Sequence, residues 1–269
     1  MRIIDCHCHA GKGDGLSGPW DTSAPLSRFL QWSANAGIHQ TNLFAALHKD
    51  SYRHANQQVA QIVQSRPERF FGFAFVHSSA DKGQVMDMIR VAVEQYGFCG
   101  IKAHRHDARI TREVCEAAQA YQIPVLYDVM GETSVVELLA TEYPKVNFII
   151  PHLSSFADDW QAQLSFIPML ERHPNVFTDT SGVRRFDLLE MAVKRAGAGK
   201  ILFGTDGPWL HPAVELQKVL SLDISARDKQ LILSDNFLRL TQKRKSGPSG
   251  ARTLQFAGAK QLHSAIRNL

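Results

Sequence analysis

Two histidines one residue apart, in Asp5-Cys6-His7-Cys8-His9, follow the apolar pair Ile3-Ile4. In an extended chain, residues i and i+2 project to one side, roughly 6.6–7 Å apart along the backbone. Two neutral imidazoles converging from that spacing can ligate one divalent ion at about 2.0–2.1 Å. Other apolar runs finish in the same manner, with Lys102-Ala103-His104, Asp128, His152 and Asp206. Buried charge costs several kcal/mol unless it is paired or metal-bound. Apolar stretches that repeatedly end in His or Asp therefore point to chemistry rather than to stability.

The elements that carry these residues alternate. Strands are expected at Arg2–His9, Thr41–Leu47, Arg69–His77, Phe98–His104, Ile123–Val129, Val146–His152, Val176–Thr180 and Ile201–Asp206. Their branched and aromatic cores suit a sheet buried on both faces. Amphipathic helices are expected at Tyr52–Gln64, Lys82–Tyr96, Thr111–Tyr121, Ser134–Thr141, Asp158–Arg172, Arg185–Ala196 and Ala226–Leu240. Eight strands with intervening helices predict an α/β fold of the (β/α)8 TIM-barrel type, in which catalytic groups gather at the C-terminal ends of the strands. A doubly wound open sheet is the competing architecture, and it lacks its Gly-x-Gly-x-x-Gly turn after the first strand. The Gly-rich stretch Ala10–Pro25, containing Trp20, reads as a long loop after strand one and a candidate lid.

The 269 residues carry 30 basic and 26 acidic side chains, 44% hydrophobic residues and 21% charged ones. That balance excludes a disordered tail protein, a collagen-like chain and a disulfide-stapled mini-protein. All of the basic excess lies in 242–269, which holds six Lys or Arg and no carboxylate, leaving a slightly acidic body over 1–241. The expected organisation is thus a single barrel domain at 1–241 with a basic C-terminal extension at 242–269. A slightly acidic body argues against a nucleic-acid partner. Only two apolar residues separate Arg2 from Asp5, unlike a secretory leader, and no run of about 18 apolar residues offers a membrane span. Four cysteines without a bridging pattern complete the expectation of a reduced, cytoplasmic protein.

Asp5-x-His7-x-His9, Gly100-Ile101-Lys102-x-His104, Pro124-Val125-Leu126-x-Asp128, Ile150-Pro151-His152 and Leu202-Phe203-Gly204-Thr205-Asp206-x-Pro208 occur in that order. Together they resemble the amidohydrolase superfamily, and within it the amidohydrolase-related branch of metal-dependent hydrolases and decarboxylases. The resemblance spans about residues 1–240, with Asp235-Asn236 similar to the closing helix of that family. It implies one divalent metal ion on His7, His9 and Asp206, with zinc expected. His152 matches a histidine that is a second-metal ligand in some members and a catalytic or substrate-polarising group in others. Asp128 departs from the pattern, standing where the family usually has a histidine ligand. It is expected to ligate the metal, which would shift preference towards manganese or magnesium; the alternative is that it binds none. Lys102 matches a lysine that, carboxylated, bridges two metals in binuclear members. Here a single metal is expected, with Lys102, His104 and Trp20 contacting substrate; an ion pair between Lys102 and Asp128 is the plainer reading.

The leading expectation is a hydrolase of lactone, ester or amide bonds, with Asp206 as the base for a metal-activated water and His152 stabilising the oxyanion. The alternative on the same residues is non-oxidative decarboxylation of an aromatic or unsaturated acid. A second alternative is a non-catalytic barrel scaffold with a weakened metal site. The expected partner is a small carboxylate- or carbonyl-bearing metabolite, and a homodimer is the candidate assembly.

Overall fold

In the computed structural model, which describes residues 1–11, 26–156 and 159–242, the strands follow one another round a single parallel sheet in the order β1 to β8. They are β1 (Ile4–Ala10), β2 (Gln40–Ala45), β3 (Phe70–Phe75), β4 (Gly100–His104), β5 (Val125–Asp128), β6 (Phe148–Ile150), β7 (Val176–Asp179) and β8 (Ile201–Leu202). The ring is joined between first and last strands by the Cys6 N–H donating to the Phe203 carbonyl (2.9 Å) and by a bridge between Cys8 and Gly207. One helix follows each strand: α1 (Leu26–Asn35), α2 (Arg53–Ser65), α3 (Val85–Glu94), α4 (Arg112–Tyr121), α5 (Ser134–Glu142), α6 (Trp160–Arg172), α7 (Phe186–Ala196) and α8 (Pro212–Leu220). This is the TIM-barrel fold.

The strands are apolar almost throughout because helices cover their outer faces while side chains fill the interior. In β3 the run Phe70-Phe71-Gly72-Phe73 tolerates no side chain at Gly72, where a Cβ would fall 2.3 Å from the ring of Phe98. The sequence expectation lacked α1 and α8; the first buries only Phe29 and Ser33 fully, and the second opens on Pro212. The expected helix Ala226–Leu240 divides into α9 (Ala226–Gln230), a π-helical turn at Leu231–Asp235 and α10 (Asn236–Thr241). Asn236 fastens this closing segment to the barrel, its amide donating to the carbonyls of Ala198 and Ile201 (both 2.8 Å).

Six of the expected strands end one to four residues early, and two of these shortenings bear on the site. The sixth stops at Ile150, and Pro151–Ser154 form a 3-10 turn with His152, Leu153 and Ser154 at positive φ (60°, 52° and 83°). The eighth has two residues, and Asp206 sits beyond it at φ 55°. Non-glycine residues in this left-handed region are uncommon and cluster where surrounding contacts over-determine them, often at functional sites. Among the described residues no helix is long and apolar enough to cross a membrane. Trp20, the proposed lid and the basic residues of the C-terminal extension lie outside the described residues.

Candidate metal centre and the cavity around it

His7 and His9 project from β1 into the C-terminal mouth, and their second nitrogens are already committed. His9 Nδ1 donates to the Ala45 carbonyl (2.9 Å) at the end of β2. His7 Nδ1 donates to Asp179 Oδ2 (2.8 Å) at the end of β7. Each Nε2 lone pair is thereby left facing the cavity. Asp206 Oδ1 lies 3.3 Å from His7 Nε2 and 3.6 Å from His9 Nε2. Three donors, all within 4.8 Å of one another, converge with no proton-donating hydrogen bond to occupy His7 Nε2, which is buried and unpartnered. An orphaned imidazole nitrogen beside a second imidazole and a carboxylate is a donor set that fits a divalent ion.

The electrostatics agree with that fit. Burial, with the nearby Lys102 charge, depresses the His7 imidazole to about 3, and burial likewise holds His9 well below its usual range. Both rings therefore stay neutral, the form that ligates. Burial raises the Asp206 carboxyl to about 7 despite the opposing charges of His152 and Lys102. A cation held by the trio would offset the burial of this carboxylate.

Asp5, on the same strand, accepts the His7 N–H (3.1 Å), the Thr205 N–H (2.9 Å) and the Thr205 hydroxyl (2.7 Å), binding β1 to the loop after β8. Orientation of His7 falls to Asp179, a residue the sequence reading passed over. The strand-end signal that found Asp128 and Asp206 also marks Asp179, which follows Val176-Phe177-Thr178.

His152 reaches the cavity from its left-handed turn. Its backbone N–H donates to Asp179 Oδ1 (3.2 Å), and Gln163 donates to its carbonyl (3.2 Å). Its Nδ1 donates to the Ser181 carbonyl (2.7 Å), which directs Nε2 inward to 3.5 Å from Asp128 Oδ2. The hydrogen bond and charge of Asp128 overcome burial and raise His152 to about 9. The loop holding Ser181 is clamped from α8. Lys218 donates to the carbonyls of Thr180 (2.9 Å) and Val183 (3.1 Å), and to Glu215 (2.5 Å), which in turn accepts the Gly182 N–H (3.0 Å). At Gly182, with φ 63°, a Cβ would fall 2.5 Å from the Phe156 ring and 3.4 Å from His152 Nδ1.

Asp128 and His104 face each other across β4 and β5, where they are paired in register. His104 Nδ1 accepts the His106 N–H (3.0 Å), so its proton resides on Nε2, which donates to Asp128 Oδ2 (3.2 Å). Asp128 Oδ1 accepts the Met130 N–H (2.9 Å). Burial works to raise the Asp128 carboxyl, but His104 and His152 prevail and hold it well below the usual range. Asp128 is not one of the three convergent donors.

Lys102 and His104 line one cavity of about 190 Å³ with His7, His9, Asp128, His152 and Asp206. Its apolar wall includes Leu47, Met130, Phe156, Trp209 and Leu210. The Trp209 ring lies 4.5 Å from that of His9. Trp160 is 43% exposed, with the Arg185 guanidinium 5.9 Å from its ring.

Fold and site together define a (β/α)8 barrel with a candidate metal centre at its catalytic mouth. The chain belongs to the amidohydrolase family, whose pattern, described as Amidohydrolase, matches residues 4–240. None of the curated proteins matches it in sequence. Among solved structures, 5-carboxyvanillate decarboxylase from Sphingomonas paucimobilis superposes with a TM-score of 0.69 at 15% identity, covering 89% of this chain and 98% of the other. For 2,6-dihydroxybenzoate decarboxylase from Rhizobium the TM-score is 0.67 at 17% identity, over 89% and 98% of the two chains. A dihydroxybenzoic acid decarboxylase from a Polaromonas species, with bound manganese and the inhibitor 2-nitroresorcinol, gives 0.67 at 17% identity over 89% and 96%.

Proposed function

We propose that the protein is a metal-dependent, non-oxidative decarboxylase of small aromatic or unsaturated acids. One observation carries the reading. The free nitrogens of His7 and His9 and the Asp206 carboxylate share a cavity with His152, whose two ring nitrogens both face acceptors. The three solved structures named above are decarboxylases, which supports it further. His7, His9 and Asp206 would hold one divalent ion, manganese by analogy with the Polaromonas protein rather than the zinc expected from sequence. Such an ion would supply Lewis-acid polarisation to an anionic substrate.

The chain's own residues supply the proton. His152, held as a donor by Ser181 and Asp128, delivers a proton from Nε2 to the carbon bearing the carboxylate. The electron pair of the C–C bond then remains with the ring, and carbon dioxide leaves; one carboxylate and one proton give one arene and one CO2. Asp128, fixed by His104 and the Met130 N–H, keeps the imidazole in place between turnovers. Phe156, Trp209 and Leu210 exclude water around the reacting carbon.

Hydrolysis of C–O or C–N bonds, favoured from sequence alone, draws on the same trio. Commitment of both His152 nitrogens as donors favours proton delivery, and convergence of the trio favours an enzyme over a scaffold with a weakened site. The test is to load the protein with manganese and follow CO2 release from hydroxybenzoates beside the opening of lactones with a pH indicator. Manganese-dependent CO2 release that disappears in His152→Gln is expected. Lactone opening without any CO2 release overturns the proposal.

A further inference from the structure

Lys102 lines the cavity, and neither the proposed metal centre nor the proton donor employs its ammonium group. It lies on β4 with no exposed surface, and Nζ has no hydrogen-bond partner. The alternative reading, an ion pair with Asp128, is not formed; both Asp128 oxygens are taken by Met130, His104 and His152. On one side Nζ lies 5.1 Å from the Phe44 ring centroid, and that ring in turn packs against His7 and His9. A lysine is almost never buried without a partner, because its three N–H donors and its charge lose their hydration. The Phe44 ring recovers part of that loss, but the N–H donors have no acceptor and the side chain lines the cavity.

We infer that Lys102 is an anion-anchoring residue, its ammonium group receiving an anionic oxygen of the bound ligand deep in the cavity. The oxygen comes either from the carboxylate or from an ionised ring hydroxyl, and both present the same chemistry to an ammonium group. The decarboxylase reading enters only in the choice of aromatic acids as probes.

The experiment is calorimetric titration of manganese-loaded wild type and Lys102→Met with 2-hydroxybenzoate, benzoate and neutral 2-hydroxybenzamide. The substitution should weaken 2-hydroxybenzoate about 10- to 100-fold, as expected for loss of a charge-assisted hydrogen bond, and the amide by less than about threefold. Parallel weakening of benzoate supports the anchor with the carboxylate as its source, and weakening confined to 2-hydroxybenzoate supports it with the ring oxygen. Manganese per chain should be unchanged, and the melting temperature should hold or rise, because an unpartnered buried charge has been removed. Equal affinities for all three ligands, or a drop in bound manganese, overturns the inference. If the Met variant does not fold, Lys102→Gln carries the same comparison. None of these ligands needs to react, so a failure of CO2 release in wild type counts against the decarboxylase reading and leaves this result intact.

Discussion

Two sets of two histidines and one aspartate line the same cavity, and their hydrogen bonding differs. On the side of β1 and β8, His7 and His9 give their Nδ1 protons to Asp179 and Ala45, so both Nε2 lone pairs meet Asp206. On the side of β4 to β6, His104 receives a backbone N–H at Nδ1 and must donate from Nε2, while His152 donates from Nδ1 to Ser181. Asp128 accepts from both rings. Residue type alone does not separate the two sets. The partner of the remote nitrogen does, by deciding where the proton sits. Under the proposed reading, one set holds a cation and the other handles a proton.

The largest expected effect comes from the first set. His9→Ala or Asp206→Ala should weaken manganese by more than the roughly 10- to 100-fold that loss of an outer partner causes, and should abolish turnover. In wild type, manganese at 100 times its Kd should add about 2.7 kcal/mol to stability, an increment missing from either variant in a melting assay. Asp128→Asn is the sharpest test of the contrast. It should lower kcat by about 100-fold or more, the scale of lost acid–base assistance, while metal content stays at the wild-type level. Metal loss in Asp128→Asn would return that carboxylate to the ligand role expected from the sequence and dissolve the division. Asp179→Asn comes next, with manganese affinity down by about 10- to 100-fold, because the His7 ring loses its anionic acceptor. The smallest change is expected for Lys218→Met. Loosening of the Ser181 loop should reduce kcat a few-fold at unchanged KM, with stability lowered by about 1–3 kcal/mol for the carbonyls and carboxylate left behind.

Much of the site was legible because period-two alternation is a local property. His7 and His9 emerge from β1 together, and Lys102 and His104 share a face of β4, as their spacing required. His152 and Asp206 were found by their place after an apolar run, although neither lies on a strand. Both occupy left-handed turns held by distant groups, among them Asp179 and Gln163 for His152. Such backbone angles carry no signature in a His or an Asp. The role of Asp5 escaped for a related reason: its acceptor capacity is taken up by Thr205, 200 residues away in sequence.

From the sequence alone came the alternation of strand and helix, the polar ends of the strands and the types of the groups available there. These follow from periodicity and burial, which each segment encodes for itself. Only the closed ring determined which nitrogen of each histidine is free, that Asp128 faces two imidazoles, and that Lys102 stands without a partner. Proton placement and pairing depend on atoms contributed by neighbouring strands, and a linear chain specifies those neighbours only once it has folded.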